Sequence, residues 1–202
     1  VPKAGNTEVL YGTFQGINQS RSYWTGRGTN MGGFAATEPT QNHVEKYQNT
    51  DGTSVNWNTT ITTPVNDPTF PYKRLDPRFH FSVAYNGCLW VTTTPMYNLE
   101  IYDGVDATVP HGRNGPTSAR TQFAYFARKW LNGLETTGVW TPMSPYMRLA
   151  EMYLILAEAS NEANGPSAEV FAALDVIRTR SGMPIVSKTL DQAGLRKFIE
   201  NE

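Results

Sequence analysis

At 202 residues the chain is long enough to bury one hydrophobic core, and its net charge of −1, with 17 scattered basic residues, excludes the basic face that nucleic-acid binding needs. The single cysteine, Cys88, rules out an internal disulfide and suits a small buried apolar residue. No apolar run is long enough to cross a bilayer, since Ile155 to Ala159 is soon followed by Asn161 and Glu162.

Polarity comes instead from Thr, Asn and Gly beside 12% aromatic residues, a surface suited to neutral ligands. Taken in order, Asn6 to Phe14 alternates enough to be an extended segment. From Gln15 to Pro39 no period is sustained, four glycines lie between Gly26 and Gly33, and Tyr23 and Trp24 stand among polar neighbours. This reads as a long loop. Loops longer than about 15 residues are usually functional or disordered, and an aromatic pair speaks for function. His43 to Tyr47 fits a short helical turn or an extended piece, Asp51-Gly52 marks a turn, and 53–78 is a Thr-, Asn- and Pro-rich loop.

After Asp76-Pro77-Arg78, the residues Phe79, Phe81, Val83 and Tyr85 alternate with smaller or polar ones, Asn86-Gly87 follows, and Leu89 and Val91 alternate with Cys88 and Trp90. Asn-Gly is the favoured centre of a type I′ turn, so the pattern predicts a β-hairpin with strands at 79–85 and 88–94. Tyr97 to Ala119 returns to loop, and Gln122 to Trp130 fits strand or helix equally.

From Ser144 to Pro184 the sequence predicts two antiparallel helices. Ser144 is a good N-cap, Pro145 fits the first helical position, and Gly165-Pro166 stops the helix. Ser167 caps the second helix and Gly182 followed by Pro184 ends it. Spacings of three and four place Leu149, Met152, Tyr153, Leu156, Phe171, Leu174 and Ile177 on a shared buried face. Thr189 with Gln192 makes a capping box for a last helix carrying Leu195, Phe198 and Ile199.

The chemistry of the side chains argues against catalysis. Glu151, Glu158 and Glu162 on the first long helix read as salt-bridging surface groups, with Arg148 near Glu151 and Glu158 at i,i+4 from Glu162. Arg178 and Arg180 suit the dipole at a helix C-terminus. His43, His80 and His111 lack zinc-like spacing, and Asp103-Gly-Val-Asp106 has too few oxygen ligands for an EF-hand loop. No cofactor or metal is expected from these patterns, although a calcium ion held by separate loops stays open. No glycine-rich strand-to-helix junction or Gly-x-Ser-x-Gly elbow is present.

Aromatic recognition remains. A sugar's C–H face is apolar, so flat rings cover it while amides and guanidinium groups bind hydroxyls. Tyr23, Trp24, Arg27 and Asn30 supply that mixture within one loop, and Trp57 is a second candidate. Trp24 packing beneath its loop is the competing reading. Trp90, Trp130 and Trp140 read as structural.

The run Tyr146-x-x-Leu149-Ala150-x-x-Tyr153 echoes the opening of a tetratricopeptide repeat. The string RLAEMYLILAEASNEANG followed by ALDVIRTRSGMP, the upstream D-P-R-F and the closing LRKFIENE together resemble the SusD/RagB family. That resemblance implies a mainly α, SusD-like fold with long loops and a small β-hairpin. Within one domain, 1–143 would be a loop-rich ligand-side region with the hairpin near 79–94, and 144–202 a tetratricopeptide-like helical hairpin region. Family members are longer, so the chain is expected to correspond to an internal to C-terminal part, with the lipid anchor outside it. The implied function is non-catalytic capture of glycans at the cell-surface side of the outer membrane and delivery to a SusC-like TonB-dependent transporter. In the family, ligand-contacting aromatics often come from loops between the first extended segment and D-P-R-F, which adds weight to Tyr23, Trp24, Arg27 and Asn30, with Trp57 the weaker candidate. Peptide capture, or a helical-repeat scaffold for another protein, are the alternatives.

Overall fold

The computed structural model describes residues 6–14, 38–57, 67, 69–90, 97–101, 125–129 and 143–202. In chain order the elements are β1 (Val9–Phe14), α1 (Gln41–Val44), a 3-10 turn (Pro71–Arg74), α2 (Pro77–Ser82), β2 (Val83–Tyr85), β3 (Leu89–Trp90), β4 (Tyr97–Asn98), β5 (Tyr125–Ala127), β6 (Met143–Arg148), α3 (Leu149–Asn164), α4 (Ala168–Ser181) and α5 (Gln192–Asn201). They fall into two units: Val1–Gln15, Thr50–Thr53 and Met143–Glu202 make the first, Gly16–Asn49 and Ser54–Pro142 the second. The fold is mainly helical with small two-stranded sheets, as the sequence implied.

In the first unit, β1 pairs antiparallel with β6, from Val9 opposite Arg148 to Phe14 opposite Met143. Ser144 and Pro145 therefore stand in a strand, and the helix begins at Leu149 instead. The register shifts twice, leaving Leu10 and Tyr146 without a register partner, although the Tyr146 ring lies 5.7 Å from that of Tyr11 across the ribbon; both Leu10 and Tyr146 are exposed. An irregular ribbon tolerates a proline, which has no N–H to give. The first N–H of α3 is satisfied by the Glu8 carbonyl at 2.8 Å rather than by a capping side chain. No local signal in 144–148 announces a partner strand 130-odd residues away, so the N-cap and Pro pattern misplaced the start by about one turn.

The end of α3 and both ends of α4 follow the sequence. Gly165 closes α3, Ser167 accepts the Val170 N–H at the start of α4, and Gly182, at φ +78°, closes α4 in the left-handed region where a side chain would be strained. The last helix is capped by Asp191, which accepts from the Gly194 N–H at 2.7 Å, in place of Thr189. Gln192 turns away from the helix start and donates to the Asn161 carbonyl at 2.7 Å, while the Asn161 amide donates back to the Gln192 carbonyl at 3.0 Å. This reciprocal pair fastens α5 to the end of α3.

The core of this unit is Ala157, Val170, Ala173, Leu174, Val186, Leu195 and Ile199, with Tyr153, Phe171 and Phe198 packed against it. Leu174 and Ile177 are buried as expected, but Leu149 and Leu156 are 37% and 41% exposed. The small residues Ala150, Ala157 and Ser160 take the covered face of α3, because small side chains let helices approach closely. Arg178 is more than a dipole partner. It is 3% exposed, pairs with Glu202 at 2.8 Å, donates to the Pro184 carbonyl at 2.6 Å and lies over the Phe198 ring. Glu162 pairs with Arg196 from α5 at 2.6 Å, and that guanidinium holds its carboxyl below the usual range.

In the second unit the expected strand at 79–85 is broken by α2. Asp76 accepts the Arg78 N–H at 2.8 Å as N-cap, and Pro77 occupies the first helical position. The alternation of Phe79 and Phe81 was fortuitous: Phe79 is fully buried and Phe81 is 76% exposed. Asn86-Gly87 does make a turn, with Gly87 at φ +82° and the Cys88 N–H donating to the Tyr85 carbonyl at 3.1 Å. Yet β2 and β3 do not pair with each other. β2 lies against β5, and β3 against β4 in the small hairpin actually formed. The segment 122–130, open in sequence, is strand at 125–127. Val44, Phe70, Leu75, Phe79, Val83 and Phe126 are among the core residues, with Cys88 buried as expected.

Candidate ligand-binding site

The second unit concentrates aromatic side chains around Tyr72, carried on the 3-10 turn that Pro71 opens. Its ring centroid lies 4.7 Å from Tyr85, 5.3 Å from Phe70, 5.7 Å from Phe79 and 6.0 Å from Trp57. The Tyr72–Phe79 pair is stacked and the Phe70 contact edge-on, the two arrangements that ring quadrupoles favour. Tyr47 meets Phe79 edge-on from the C-terminal side of α1.

The hydroxyl edge of this cluster has a direction. Tyr125 donates to Gln41 Oε1 at 2.8 Å, and that oxygen has no proton to return. The 2.9 Å contact between the Tyr72 and Tyr125 hydroxyls therefore has Tyr72 as donor. Gln41 then donates through Nε2 to Glu45 at 3.1 Å, so the chain runs from a half-buried phenol to an exposed carboxylate. Thr40, capping α1 through the His43 N–H, orients Gln41 at its first helical position. His43 Nε2 lies 3.4 Å from the hydroxyl of Tyr47, three residues beyond the end of α1.

Burial keeps these groups neutral. It pushes Tyr85 up to about 12 and holds Tyr47 and Tyr72 above their ordinary value. Tyr125 is raised first by burial and then by the Tyr72 hydroxyl. His80, 3.5 Å from the Tyr85 hydroxyl, is held below its ordinary value, first by burial and then by Arg128. The Cys88 thiol is likewise pushed up by burial, which suppresses the reactive thiolate. The rings of this cluster are mostly core, with Tyr72 and Trp57 half-buried at its margin and Gln41 exposed, and among its described groups burial favours the neutral phenol, imidazole and thiol over a charged nucleophile or acid.

Of the residues expected to bind ligand, Tyr23, Trp24, Arg27 and Asn30 lie outside the described residues, as do His111, Asp103 and Asp106. Trp57 is described, half-buried against the core, with its indole Nε1 buried and unpartnered among the described residues. Gln41, Tyr72 and Tyr125 were missed by sequence reasoning. Nothing local joins them, since Gln41 and Tyr125 are 84 residues apart. Among the described residues no group of three His, Cys, Asp or Glu side chains could hold a metal ion, and no helix is long and apolar enough to cross a membrane.

A family model described as the SusD family matches residues 5–202. The fold is similar to that of a SusD-like carbohydrate binding protein from Bacteroides fragilis, with a TM-score of 0.71 and 21% identity over 97% of this chain. A second SusD-like protein from the same organism gives a TM-score of 0.70 and 20% identity over 98% of this chain. The chain spans 38% and 40% of the lengths of these two proteins. No curated protein matches it.

Proposed function

We propose that this chain, which belongs to the SusD family, takes part in non-catalytic capture of glycans at the cell-surface side of the outer membrane, for delivery to a SusC-like TonB-dependent transporter. The observation that carries the reading is the family match over residues 5–202; at the margin of the second unit's core, the half-buried Trp57 and Tyr72 rings lie near the neutral Tyr72 hydroxyl and the exposed Gln41 amide. A pyranose needs both, an apolar partner for its C–H face and neutral partners for its hydroxyls. The family match over nearly the whole chain and the likeness to a carbohydrate binding protein support the same ligand class. Tyr23, Trp24, Arg27, Asn30 and Trp57 are proposed as ligand-contacting residues.

Absence of turnover is part of the proposal, because the buried phenols and thiol are held in their protonated forms. A glycan array that includes short peptides, followed by calorimetry with the best ligand and chromatography of the recovered ligand, tests it. Glycan binding with the ligand recovered intact is the expected result. Peptide-only binding would transfer the reading to peptide capture, and shortened glycan products would overturn the non-catalytic assignment.

A further inference from the structure

Two unmatched hydrogen-bonding groups stand on adjoining rings at the margin of the second unit's core. The first is the indole N–H of Trp57. Its Nε1 is buried and meets no acceptor among the described residues, and an indole has no other polar atom. A buried donor left unmet loses its hydration with nothing in return, which is why such groups in native folds nearly always have a partner. The second is the phenol oxygen of Tyr72. Its proton goes to Tyr125, whose own proton goes to Gln41 Oε1. The Tyr72 oxygen therefore keeps its lone pairs, and no described group donates to it.

The two groups are complementary but not bonded to each other. Their rings are tilted by 37° with centroids 6.0 Å apart, and both residues are half-buried. A partner for the pair must accept one hydrogen bond and donate another. A carboxylate only accepts and an ammonium only donates, and either would lose the solvation of its charge at a half-buried place. An O–H group does both. Since Nε1 is covered, the group that reaches it is small at the point of contact, one O–H rather than a ring.

We infer that Trp57 Nε1 and Tyr72 Oη form a subsite for one O–H group, which accepts from the indole and donates to the phenol. Water and a sugar hydroxyl share this chemistry. Only the sugar source rests on the proposed glycan capture; there the subsite makes Trp57 a polar contact as well as an apolar face, and it selects hydroxyls over charged groups.

The test uses the full chain with its five tryptophans isotope-labelled at the indole nitrogen, and Trp57→Phe assigns the Trp57 resonance. Without glycan, the Trp57 indole proton should show a cross-peak to a long-lived water. On addition of neutral hexasaccharides of glucose, mannose or xylose, the cross-peak passes to sugar protons where a hydroxyl is the source and stays on water where water is. Replacing Trp57 by benzothienylalanine keeps the ring shape and removes the N–H. That change should lower the melting temperature by about 2–4 °C, as should Tyr72→Phe, and the two together by less than the sum, because both remove the same bridge. Where a hydroxyl is the source, the benzothienylalanine chain should also bind the hexasaccharide about tenfold more weakly, the scale of one hydrogen bond. A rise in melting temperature with benzothienylalanine, the sign of an unmet donor removed, or strictly additive losses, would overturn the inference. If no hexasaccharide bound while the water contact and the melting shifts held, glycan capture would be rejected and the subsite would stand.

Discussion

Trp57 rests on Tyr72 and the core of the second unit, so its truncation removes packing before it removes any ligand contact. Trp57→Ala is expected to lower stability by about 1–3 kcal/mol, below the range for a fully buried aromatic because this ring is half-buried. Trp24, proposed as a surface platform, should behave in the opposite way. Trp24→Ala is expected to weaken glycan binding by roughly five- to a hundred-fold with little change in melting temperature, the scale of losing one buried ring face. Calorimetry beside melting curves for both variants separates the two roles. A Trp24→Ala protein of normal stability and unchanged affinity would take that loop out of the site. His80 gives a pH signature. Its pKa is lowered in the fold by burial and by Arg128, with Asp76 opposing and the Tyr85 hydroxyl alongside. The unfolded chain therefore takes up the proton first, so the contribution is complete above about pH 6.5 and is lost as pH falls through that value towards the folded pKa. Urea midpoints between pH 5 and 7 should decline in the wild type and decline less in His80→Gln.

At the scale of elements, the α3–α4 hairpin separates residues of identical type by position. Leu174 is fully buried among Val170, Ala157 and Leu195, and Leu174→Ala should cost about 2–5 kcal/mol. Leu156, 41% exposed on α3, should cost less than about 1 kcal/mol when truncated. Chemical denaturation of the two variants checks the order, and an equal loss would mean that Leu156 is buried as well. The sequence placed both leucines on one buried face. Helical spacing identifies an apolar stripe but not which of two stripes meets the neighbour, and α3 has two. Arg178 shows the same limit: its place near a helix end was legible, while its burial against Glu202 and Phe198 was not.

Over the whole molecule, each unit has its own hydrophobic cluster, one built on Leu174 and Leu195, the other on Phe79 and Phe126. Phe79→Ala is expected to cost about 3–5 kcal/mol in the second unit. Since the long helices α3, α4 and α5 all belong to the first unit, the melting of the helical signal at 222 nm should stay near that of the wild type, while near-ultraviolet signals from the tyrosine cluster shift to lower temperature. A single common shift of both signals would show that the two clusters unfold together.

The sequence by itself determined what neighbouring residues can enforce. The end of α3 at Gly165, the cap at Ser167, the stop at Gly182, the turn at Asn86-Gly87, the burial of Cys88 and the apolar face of Leu195 and Ile199 all follow from local backbone preference or spacing. Family membership was legible for the same reason, since its motifs are contiguous strings. The tertiary structure alone decided the pairing of β1 with β6, the partner of β2, the replacement of Thr189 by Asp191 as a cap, and the line from Tyr72 through Tyr125 to Gln41. Each of these joins groups that are distant in sequence or chooses between local options of similar strength. A strand carries the same unpaired N–H and C=O groups whichever partner it finds, and a tyrosine the same hydroxyl, so the choice is made only when packing brings one acceptor within reach.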